Sequence, residues 1–541
     1  MIRTVLTTAF ADQKPGTSGL RKKVAVFQQP HYVENFIQSL FNSIGSVEGK
    51  LFIVGGDGRY FNRTLLQIVL KMAAAHGVAR VKVGRGGILS TPAVSHLIRK
   101  THAHGGIILS ASHNPGGKEG DCGIKYNIAN GGPAPDSLCE ALYAASQKLS
   151  YYKIFEAPDV DLDSEGTSFI SSMRVDIINP VADYVALMQE IFDFDCIAKA
   201  VERGLTLRFD AMHAVTGPYA HEIFEKSLGF AEGTVVNGVP LPDFAGGHPD
   251  PNLVYAKDLF NLLMSDQGPD LGAASDGDGD RNLIIGRGQF VTPSDSLAIM
   301  VAHAHLIKGY RQGIVGVARS MPTAPAADLV AEKKGLNCFE TPTGWKFFGS
   351  LLDAGKVTFC GEESFGTSSH HVREKDGLWA VLFWLNLLAL TGKTVAQIVQ
   401  QHWQNYGRFY TLRYDYEAVE SDKAEAMIER LRAHLPQVGT EIAGLLVEKA
   451  DDFTYHDPVD QSVSSRQGIR VFFENGARLV VRLSGTGTVG ATLRLYFEQY
   501  EADPRKHNQD PQKMLKPLQK AALKLLNIKQ ELGREHPDII T

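Results

Sequence analysis

Asp276-Gly277-Asp278-Gly279-Asp280-Arg281 is the stretch of this chain best suited to chemistry. Three carboxylates at alternate positions, separated by glycines that open φ values other residues avoid, can turn their oxygens toward one point. Such a cluster repels itself unless a hard divalent cation fills it, and an all-oxygen donor set favours Mg²⁺ over Zn²⁺ or copper. An EF-hand begins similarly but needs Gly at its sixth position and Glu at its twelfth, where this chain has Arg281 and Arg287. Arginine abutting the aspartates points to an anion, a phosphate above all, sharing the metal. A solvated acidic turn is the plainer alternative.

A second candidate follows the apolar run Gly106-Ile107-Ile108-Leu109: the loop Ser110-Ala111-Ser112-His113-Asn114-Pro115-Gly116-Gly117. Ser112 stands where a strand ends in a Gly/Pro-rich loop, a usual place for a nucleophile at a sheet edge. A free serine needs a base or a metal to activate it. The same residues also fit an Asn-Pro turn with an ordinary serine.

Strand–helix alternation must position these loops. Leu51 to Val54 reads as a buried strand, and Leu65, Ile68, Val69, Met72 and Ala73 recur at helical spacing until Gly77. Val78 to Val83 makes another strand, after which Thr91-Pro92 opens a helix as N-cap and first-turn proline. The pattern returns with strand Leu205 to Phe209 before helix Pro218 to Leu228, and with strand Gly313 to Ala318 before helix Ala324 to Lys334. Sustained alternation predicts doubly wound α/β sheets with helices on both faces. The end of the chain differs. Asn475-Gly476 between two apolar alternating runs predicts a hairpin, and Met514, Leu518, Ala521 and Leu525 mark an amphipathic helix. The expected architecture is three similar α/β domains (1–187, 188–292, 293–407) and a C-terminal α+β domain (408–541) with an antiparallel sheet, set around a central cleft.

Gly485-Thr486-Gly487-Thr488-Val489-Gly490 matches the dinucleotide fingerprint GxGxxG. A true fingerprint opens a helix, whereas Ala491 to Phe497 alternates as a strand, so nucleotide binding is rejected. The loop's hydroxyls and backbone N–H groups, with Arg482 and Arg494 beside them, suit a monophosphate instead. No GxxxxGK[ST] loop is present, which argues against an ATP-dependent kinase. Four strand-end loops thus stand out, at Ser110 to Pro115, Asp276 to Arg281, Gly361 to Gly366 and Leu483 to Thr488. One per domain, converging on a single cleft, is the economical arrangement.

Taken together these loops resemble the α-D-phosphohexomutase family, and within it the phosphoglucomutases of the eukaryotic type. Further motifs support the likeness: Gly16-Thr17-Ser18-Gly19-Leu20-Arg21, Thr341-Pro342-Thr343-Gly344-Trp345-Lys346, Gly361-Glu362-Glu363-Ser364-Phe365-Gly366, Arg373-Glu374-Lys375-Asp376-Gly377 and Arg482-Leu483-Ser484-Gly485-Thr486-Gly487. They run in family order from near residue 16 to near residue 494. Thr488 sits where serine is frequent.

The resemblance implies interconversion of glucose 1-phosphate and glucose 6-phosphate by way of a phosphorylated Ser112 and a glucose 1,6-bisphosphate intermediate. It implies one Mg²⁺ per chain on Asp276, Asp278, Asp280 and phosphorylated Ser112, with Arg281 at the same phosphate. Lys125, Lys375 and His113 become candidates for proton transfer, and crowding by other cations is expected to lower a lysine toward the working range. Glu362 and Ser364 match the pair that receives sugar hydroxyls in glucose-specific members. Thr17, Ser18, Arg21, Thr343, Gly344, Lys375, Arg482, Ser484, Gly485, Thr486, Thr488 and Arg494 complete the implied phosphosugar contacts.

Composition is compatible with this. At about 150 residues per domain, 541 residues predict three or four domains, and 44% hydrophobic with 21% charged content is ordinary for globular chains. A net charge of −5 argues against nonspecific nucleic-acid binding. The five scattered cysteines read as reduced thiols. Neither a signal-peptide core nor a bilayer-length apolar run is seen, so a cytoplasmic protein, monomeric or weakly self-associating, without nucleic-acid or membrane partners, is expected. Asp276-Gly277-Asp278 also imitates the Asp-x-Asp of haloacid-dehalogenase phosphatases, but Asp280 stands where that class has Thr or Val. A non-catalytic relative is the third reading, disfavoured by the intact serine and aspartate loops.

Overall fold

The computed structural model describes residues 1–16, 18–484 and 490–541. Thr17 and the segment 485–489, with the expected contacts Gly485, Thr486, Gly487 and Thr488, lie outside the described residues.

Short apolar runs closed by glycine do become strands. In the first sheet the strands Gly105–Leu109, Leu51–Gly56, Arg80–Ile88 and Met173–Ile178 lie parallel. Asp121–Ile128 runs antiparallel beside Gly105–Leu109 and pairs in turn, antiparallel, with Leu20–Lys23, while Gly166–Ile170 runs antiparallel at the other side. The second sheet sets Val235–Val236, Leu207–Asp210 and Leu271–Ala274 parallel, then adds Leu283–Gly286 and Gln289–Phe290 antiparallel. The third sets Asn337–Thr341, Gly316–Ser320 and Phe359–Gly361 parallel and closes with antiparallel Thr367–Ser369. One order therefore recurs three times: a central strand, its parallel neighbour, and an antiparallel strand beyond. The link from neighbour to antiparallel strand is in each case a loop singled out for chemistry, at Ser110 to Pro115, Asp276 to Arg281 and Gly361 to Gly366.

Helices pack these sheets through apolar faces. Asn62–Ala75 buries Leu65, Leu66, Val69, Leu70 and Met72. Gly377–Thr391 is apolar on every side and buried from Gly377 to Leu388, which makes it a central core element rather than a surface one. The core around it spans the first three domains.

Local details depart from expectation. The helix Thr91–Thr101 is capped by Ser90, whose side chain accepts from Ala93 N, so Thr91 is not the cap. The stretch predicted as one helix from Pro218 to Leu228 begins at Thr216 and widens into π-turns over His221–Ser227. The expected cut after Leu187 falls inside the helix Ala182–Ile191, because apolar spacing cannot mark a junction within a continuous helix. Thr292 instead caps the helix Pro293–His303 through Asp295 N.

The last sheet is antiparallel throughout, seven strands with the hairpin Ile469–Phe473/Ala477–Ser484 turning at Asn475-Gly476. Helices Ser421–Ala433 and Lys516–Leu526 supply its core. All five cysteines are free. Among the described residues no single helix is long and apolar enough to cross a membrane; Gly377–Thr391 and Val395–Tyr406 reach that length only as a pair bent by 88°.

Candidate active site

The three aspartates meet as their spacing suggests. One carboxylate oxygen from each of Asp276, Asp278 and Asp280 lies within 4.8 Å of the others, all three residues are buried, and no other such group of His, Cys, Asp or Glu occurs among the described residues. Gly277 permits the approach: a Cβ there would stand 2.2 Å from the carbonyl oxygen of Ser112. The loop is pinned from within, since Asp276 Oδ1 accepts from the backbone N–H groups of Asp280 (2.9 Å) and Arg281 (3.0 Å). Burial, reinforced by the charges of Asp280 and Asp278, raises Asp276 well above the usual carboxylate range. Burial and Asp278 raise Asp280 as well. Asp278 is lowered, because Lys125, Lys375, Arg21 and the Thr91 hydroxyl outweigh its burial. Asp278 Oδ1 and Asp280 Oδ1 are buried without a hydrogen-bond partner among the described residues. Orphaned carboxylate oxygens beside one another in a low-dielectric site fit a hard divalent cation.

Ser112 reaches the same point from the first sheet. Its Oγ donates to Asp276 Oδ2 at 2.9 Å and lies 3.3 Å from His113 Nδ1. The residue holds φ = 51°, a left-handed conformation costing about 1–2 kcal/mol for a non-glycine residue. Surrounding bonds fix it there. Ser112 N–H donates to Ser110 Oγ at 2.8 Å, and Ser110 Oγ donates to Asp57 Oδ2 at 2.6 Å. Arg59 donates to the carbonyls of Ser112 (2.7 Å) and Asp121 (2.9 Å) and pairs with Asp57, both side chains being 0% exposed. Burial raises Asp57, opposed by Arg59 and by the Ser110 hydroxyl.

Around this point opens a cleft of about 510 Å³. Ser18, Arg21, Ser112, His113, Lys125, Asp280, Arg281, Thr343, Gly344, Glu362, Ser364, Lys375, Arg482, Ser484 and Arg494 all line it, so every described residue expected to touch substrate is brought together from four sheets. Asp276 and Asp278 belong to the buried aspartate cluster whose third member, Asp280, lines the wall. Glu362 is oriented by Gly344 N–H, donating to Oε1 at 2.9 Å, and by the Ser364 hydroxyl, donating to Oε2 at 3.2 Å. Thr343 Oγ1 is buried without a partner among the described residues. Arg281 pairs with Asp250 at 3.1 Å. Arg482 donates to the Gln467 carbonyl at 3.3 Å, and Arg494 faces Asp415 at 3.5 Å.

The lysines meet carboxylates. Lys125 pairs with Glu374 at 2.5 Å and Lys375 with Asp280 at 3.1 Å. Burial would lower Lys375, but Asp280, Glu362 and Asp276 outweigh it and hold the ammonium above its ordinary value. The expected lowering by neighbouring cations is therefore not found for Lys375, because its nearest charges are negative. His113 goes the other way: burial, then Arg281, Arg21, His248 and Arg494, holds it well below its usual value and neutral.

Family models match most of the chain. The phosphoglucomutase/phosphomannomutase alpha/beta/alpha domains I, II and III match residues 12–153, 182–289 and 293–406, and the phosphoglucomutase-1 C-terminal domain matches 408–538. The chain belongs to the phosphoglucomutase/phosphomannomutase family. It is 59% identical to a phosphoglucomutase of Rhizobium radiobacter over 542 residues and 50% identical to one of Schizosaccharomyces pombe over 555, with all of both chains covered in each case. Among solved structures it resembles the open form of pp63/parafusin, an exocytosis-sensitive phosphoprotein and phosphoglucomutase of Paramecium, with TM-score 0.90 and 46% identity over 100% of this chain and 99% of that one. The four-domain architecture, three α/β/α domains and an antiparallel C-terminal one, is that of the family.

Several residues of this family member escaped the sequence reading. Asp57, Arg59 and Asn62 hold the serine loop from behind, Asn62 donating to the Leu109 carbonyl at 2.7 Å. Thr91 spends its hydroxyl on Asp278 Oδ2 at 2.6 Å. Gly-Arg-Tyr after a strand carries no recognisable periodicity, and a threonine beside a proline reads first as a cap.

Proposed function

We propose that this chain is a phosphoglucomutase, interconverting α-D-glucose 1-phosphate and glucose 6-phosphate by phosphoryl transfer to and from Ser112. The observation that carries this is Ser112 Oγ, 2.9 Å from a carboxylate of the buried aspartate trio, at one end of a cleft in which basic side chains outnumber acidic ones. Full-length identity to named phosphoglucomutases supports the same reading.

In this proposal Ser112 carries a phosphate in the resting enzyme. The P–Oγ bond breaks as a free sugar hydroxyl attacks, giving glucose 1,6-bisphosphate, and the serine regains a phosphate from the other position once the intermediate has turned around. No water or nucleotide is consumed. Transfer of this kind depends on positioning and charge stabilisation. Asp276, Asp278, Asp280 and a phosphate oxygen on Ser112 would hold the cation, which we assign as one Mg²⁺ per chain; bound there, it supplies positive charge at the transferring group. Arg281 adds a guanidinium to the same group. Lys125 is assigned to the proton of the attacking hydroxyl, Lys375, held as an ammonium beside Asp280, to positive charge at the same group, and neutral His113 to orienting the serine oxygen. Glu362 and Ser364 take sugar hydroxyls. Thr17, Ser18, Arg21, Thr343, Gly344 and Lys375 are assigned to binding phosphosugar, and Arg482, Ser484, Gly485, Thr486, Thr488 and Arg494 to the phosphate not being transferred. The domain outline follows cuts after residues 187, 292 and 407, the first drawn back to Ala182. We place the enzyme in the cytoplasm, monomeric or weakly self-associating, with phosphosugars as its ligands.

Peptide mapping of the purified protein tests this directly. One phosphate on Ser112, and loss of mutase turnover with retained fold in Ser112→Ala, are expected. Phosphate on Ser110, or near-normal kcat in the variant, would refute the assignment.

A further inference from the structure

Behind Lys375, on the side facing away from the cleft, lies a buried run of polar groups in an otherwise apolar wall. Asp376 Oδ2 accepts from His371 Nε2 at 2.9 Å, while Oδ1 accepts from the Tyr184 hydroxyl at 2.5 Å and from Trp379 N–H at 3.1 Å. His371 Nδ1 meets Ser369 Oγ at 2.7 Å, Ser369 Oγ meets the Tyr310 hydroxyl at 2.5 Å, and Tyr310 accepts from Trp379 Nε1 at 2.8 Å. The side chains of His371 and Asp376 are 4% and 0% exposed, and Ser369, Tyr310 and Trp379 are buried.

One order of donors and acceptors satisfies every proton of this network. Trp379 Nε1 has a proton to give and nothing to accept. Tyr310 therefore donates onward to Ser369, Ser369 donates to His371 Nδ1, and Nε2–H donates to Asp376. In that order Nε2 of His371 faces Asp376 and Nδ1 faces Ser369. The backbone N–H of Trp379 returns to Asp376, so the chain is a closed ring around the start of the helix Gly377–Thr391. Phe359, Phe383 and Phe192 pack against the Trp379 ring. A polar ring in such surroundings is costly to leave partly satisfied, and fully satisfied it specifies one geometry.

That geometry fixes the segment that enters the cleft. Glu374 and Lys375 directly precede Asp376, reaching Lys125 at 2.5 Å and Asp280 at 3.1 Å. Beyond it Gly377 N–H donates to the Gly279 carbonyl at 3.1 Å, and a Cβ on Gly377 would stand 2.1 Å from the carbonyl of Arg281. We propose that His371, with Ser369 and Tyr310 behind it and Tyr184 reaching across from the helix Ala182–Ile191, is a positioning residue that sets the place of Lys375 against the aspartate loop. This rests on the mutase reading for its kinetic consequence only.

The test compares two substitutions in the full-length, Mg²⁺-supplemented protein. His371→Phe keeps an aromatic ring against Trp379, where the present rings lie 5.6 Å apart and 20° from parallel, but ends both hydrogen bonds. His371→Gln restores acceptor and donor in the same order. We expect kcat with glucose 1-phosphate to fall about tenfold or more in His371→Phe with KM within about twofold, and to recover to within about threefold of wild type in His371→Gln, as when a supporting partner is lost and replaced. A crystal structure of His371→Phe should show Lys375 Nζ drawn away from Asp280. A variant that melts earlier yet keeps kcat and the Lys375–Asp280 contact would overturn the proposal and reduce the ring to core packing. If His371→Phe does not fold, Tyr310→Phe is measured in its place, with a smaller kcat loss and the same displacement expected and unchanged values refuting. Failure of the mutase reading would show separately, as absent turnover in the wild-type protein, and leaves the Lys375–Asp280 distance as a valid readout.

Discussion

Gly277→Ala isolates the approach between the serine and aspartate loops. The added Cβ would stand 2.2 Å from the carbonyl oxygen of Ser112, against a carbon–oxygen contact distance of about 3.3 Å. That oxygen cannot yield easily, because Arg59 Nη2 donates to it at 2.7 Å from a wholly buried ion pair. The aspartate loop is equally held, with Gly277 N–H donating to the Pro249 carbonyl at 3.2 Å and its carbonyl accepting from Val215 N–H at 3.3 Å. Relief therefore requires the loops to part by about 1 Å, and a displacement of that size in a reacting centre costs on the order of 10²-fold in rate, or about 2.7 kcal/mol. The assay is steady-state kcat with glucose 1-phosphate at saturating Mg²⁺, with the phosphate content of Ser112 measured in parallel. Gly349→Ala is the control, since a Cβ there meets nothing within 4 Å and kcat should be unchanged. A Gly277→Ala enzyme within about threefold of wild type, less than 1 kcal/mol, would refute the claim that this close approach sets the reacting geometry.

Chelation should abolish turnover and Mg²⁺ restore it, and Thr91→Val, which frees Asp278 Oδ2 of its 2.6 Å bond, should weaken Mg²⁺ activation about 10–100-fold with little change in fold; titration of activity against free Mg²⁺ decides both. Burial raises Asp295 to about 6. Because its folded value lies above the unfolded one, the folded protein binds the extra proton and stability should fall as pH climbs from about 4 to about 6. Asp295→Asn should flatten that slope and raise the melting temperature at pH 7 relative to pH 4, its amide oxygen still accepting the bond from Trp403, now 3.0 Å; equal shifts at both pH values would count against it. For sugar choice, kcat/KM should favour glucose 1-phosphate over mannose 1-phosphate, and Glu362→Gln should narrow the gap by leaving a hydroxyl poorly paired.

What could be read in advance depended on sequence distance. The aspartate loop, the serine loop and the hairpin at Asn475-Gly476 are local: glycine spacing, strand ends and alternation carry them, and each lies where expected. The antiparallel strand closing each α/β sheet was not read. Asp121–Ile128 and Leu283–Gly286 are buried on both faces, and their patterns do not distinguish direction. The supports were hidden for a different reason. Arg59 meets Ser112 across 53 residues and Thr91 meets Asp278 across 187, so nothing near either residue announces its partner. Lys375 lines the cleft, but its surroundings are the reverse of the crowding by cations expected there, because the sign of a pKa shift depends on which neighbours come closest.

The segment Arg373 to Gly377 shows why such a site needs several domains. Arg373 N–H donates to the hydroxyl of Ser95 in the first domain at 3.0 Å, while Glu374 reaches Lys125 and Asn127 there. Lys375 and Gly377 reach the aspartate loop of the second. All five residues belong to the third. A dianionic phosphate at the serine end and another at the far end of one sugar bring more negative charge than any single loop can balance, yet basic side chains clustered on one loop would repel each other in the absence of ligand. Distributing them over separate sheets limits that repulsion, and four of them, Lys125, Lys375, Arg281 and Arg494, are paired with Glu374, Asp280, Asp250 and Asp415. In the proposed reaction, substrate phosphates would compete for those cations instead of meeting them bare, and binding would exchange one set of ion pairs for another. Arg482, which donates to the Gln467 carbonyl, is a cleft cation of the fourth domain, and Arg482→Ala removes it. It should raise KM for glucose 1-phosphate and lower kcat together, since binding energy used there serves to assemble the reacting end. An unchanged kcat with KM alone raised would mean that the far phosphate is merely held, and that the fourth domain takes no part in setting the geometry at the serine.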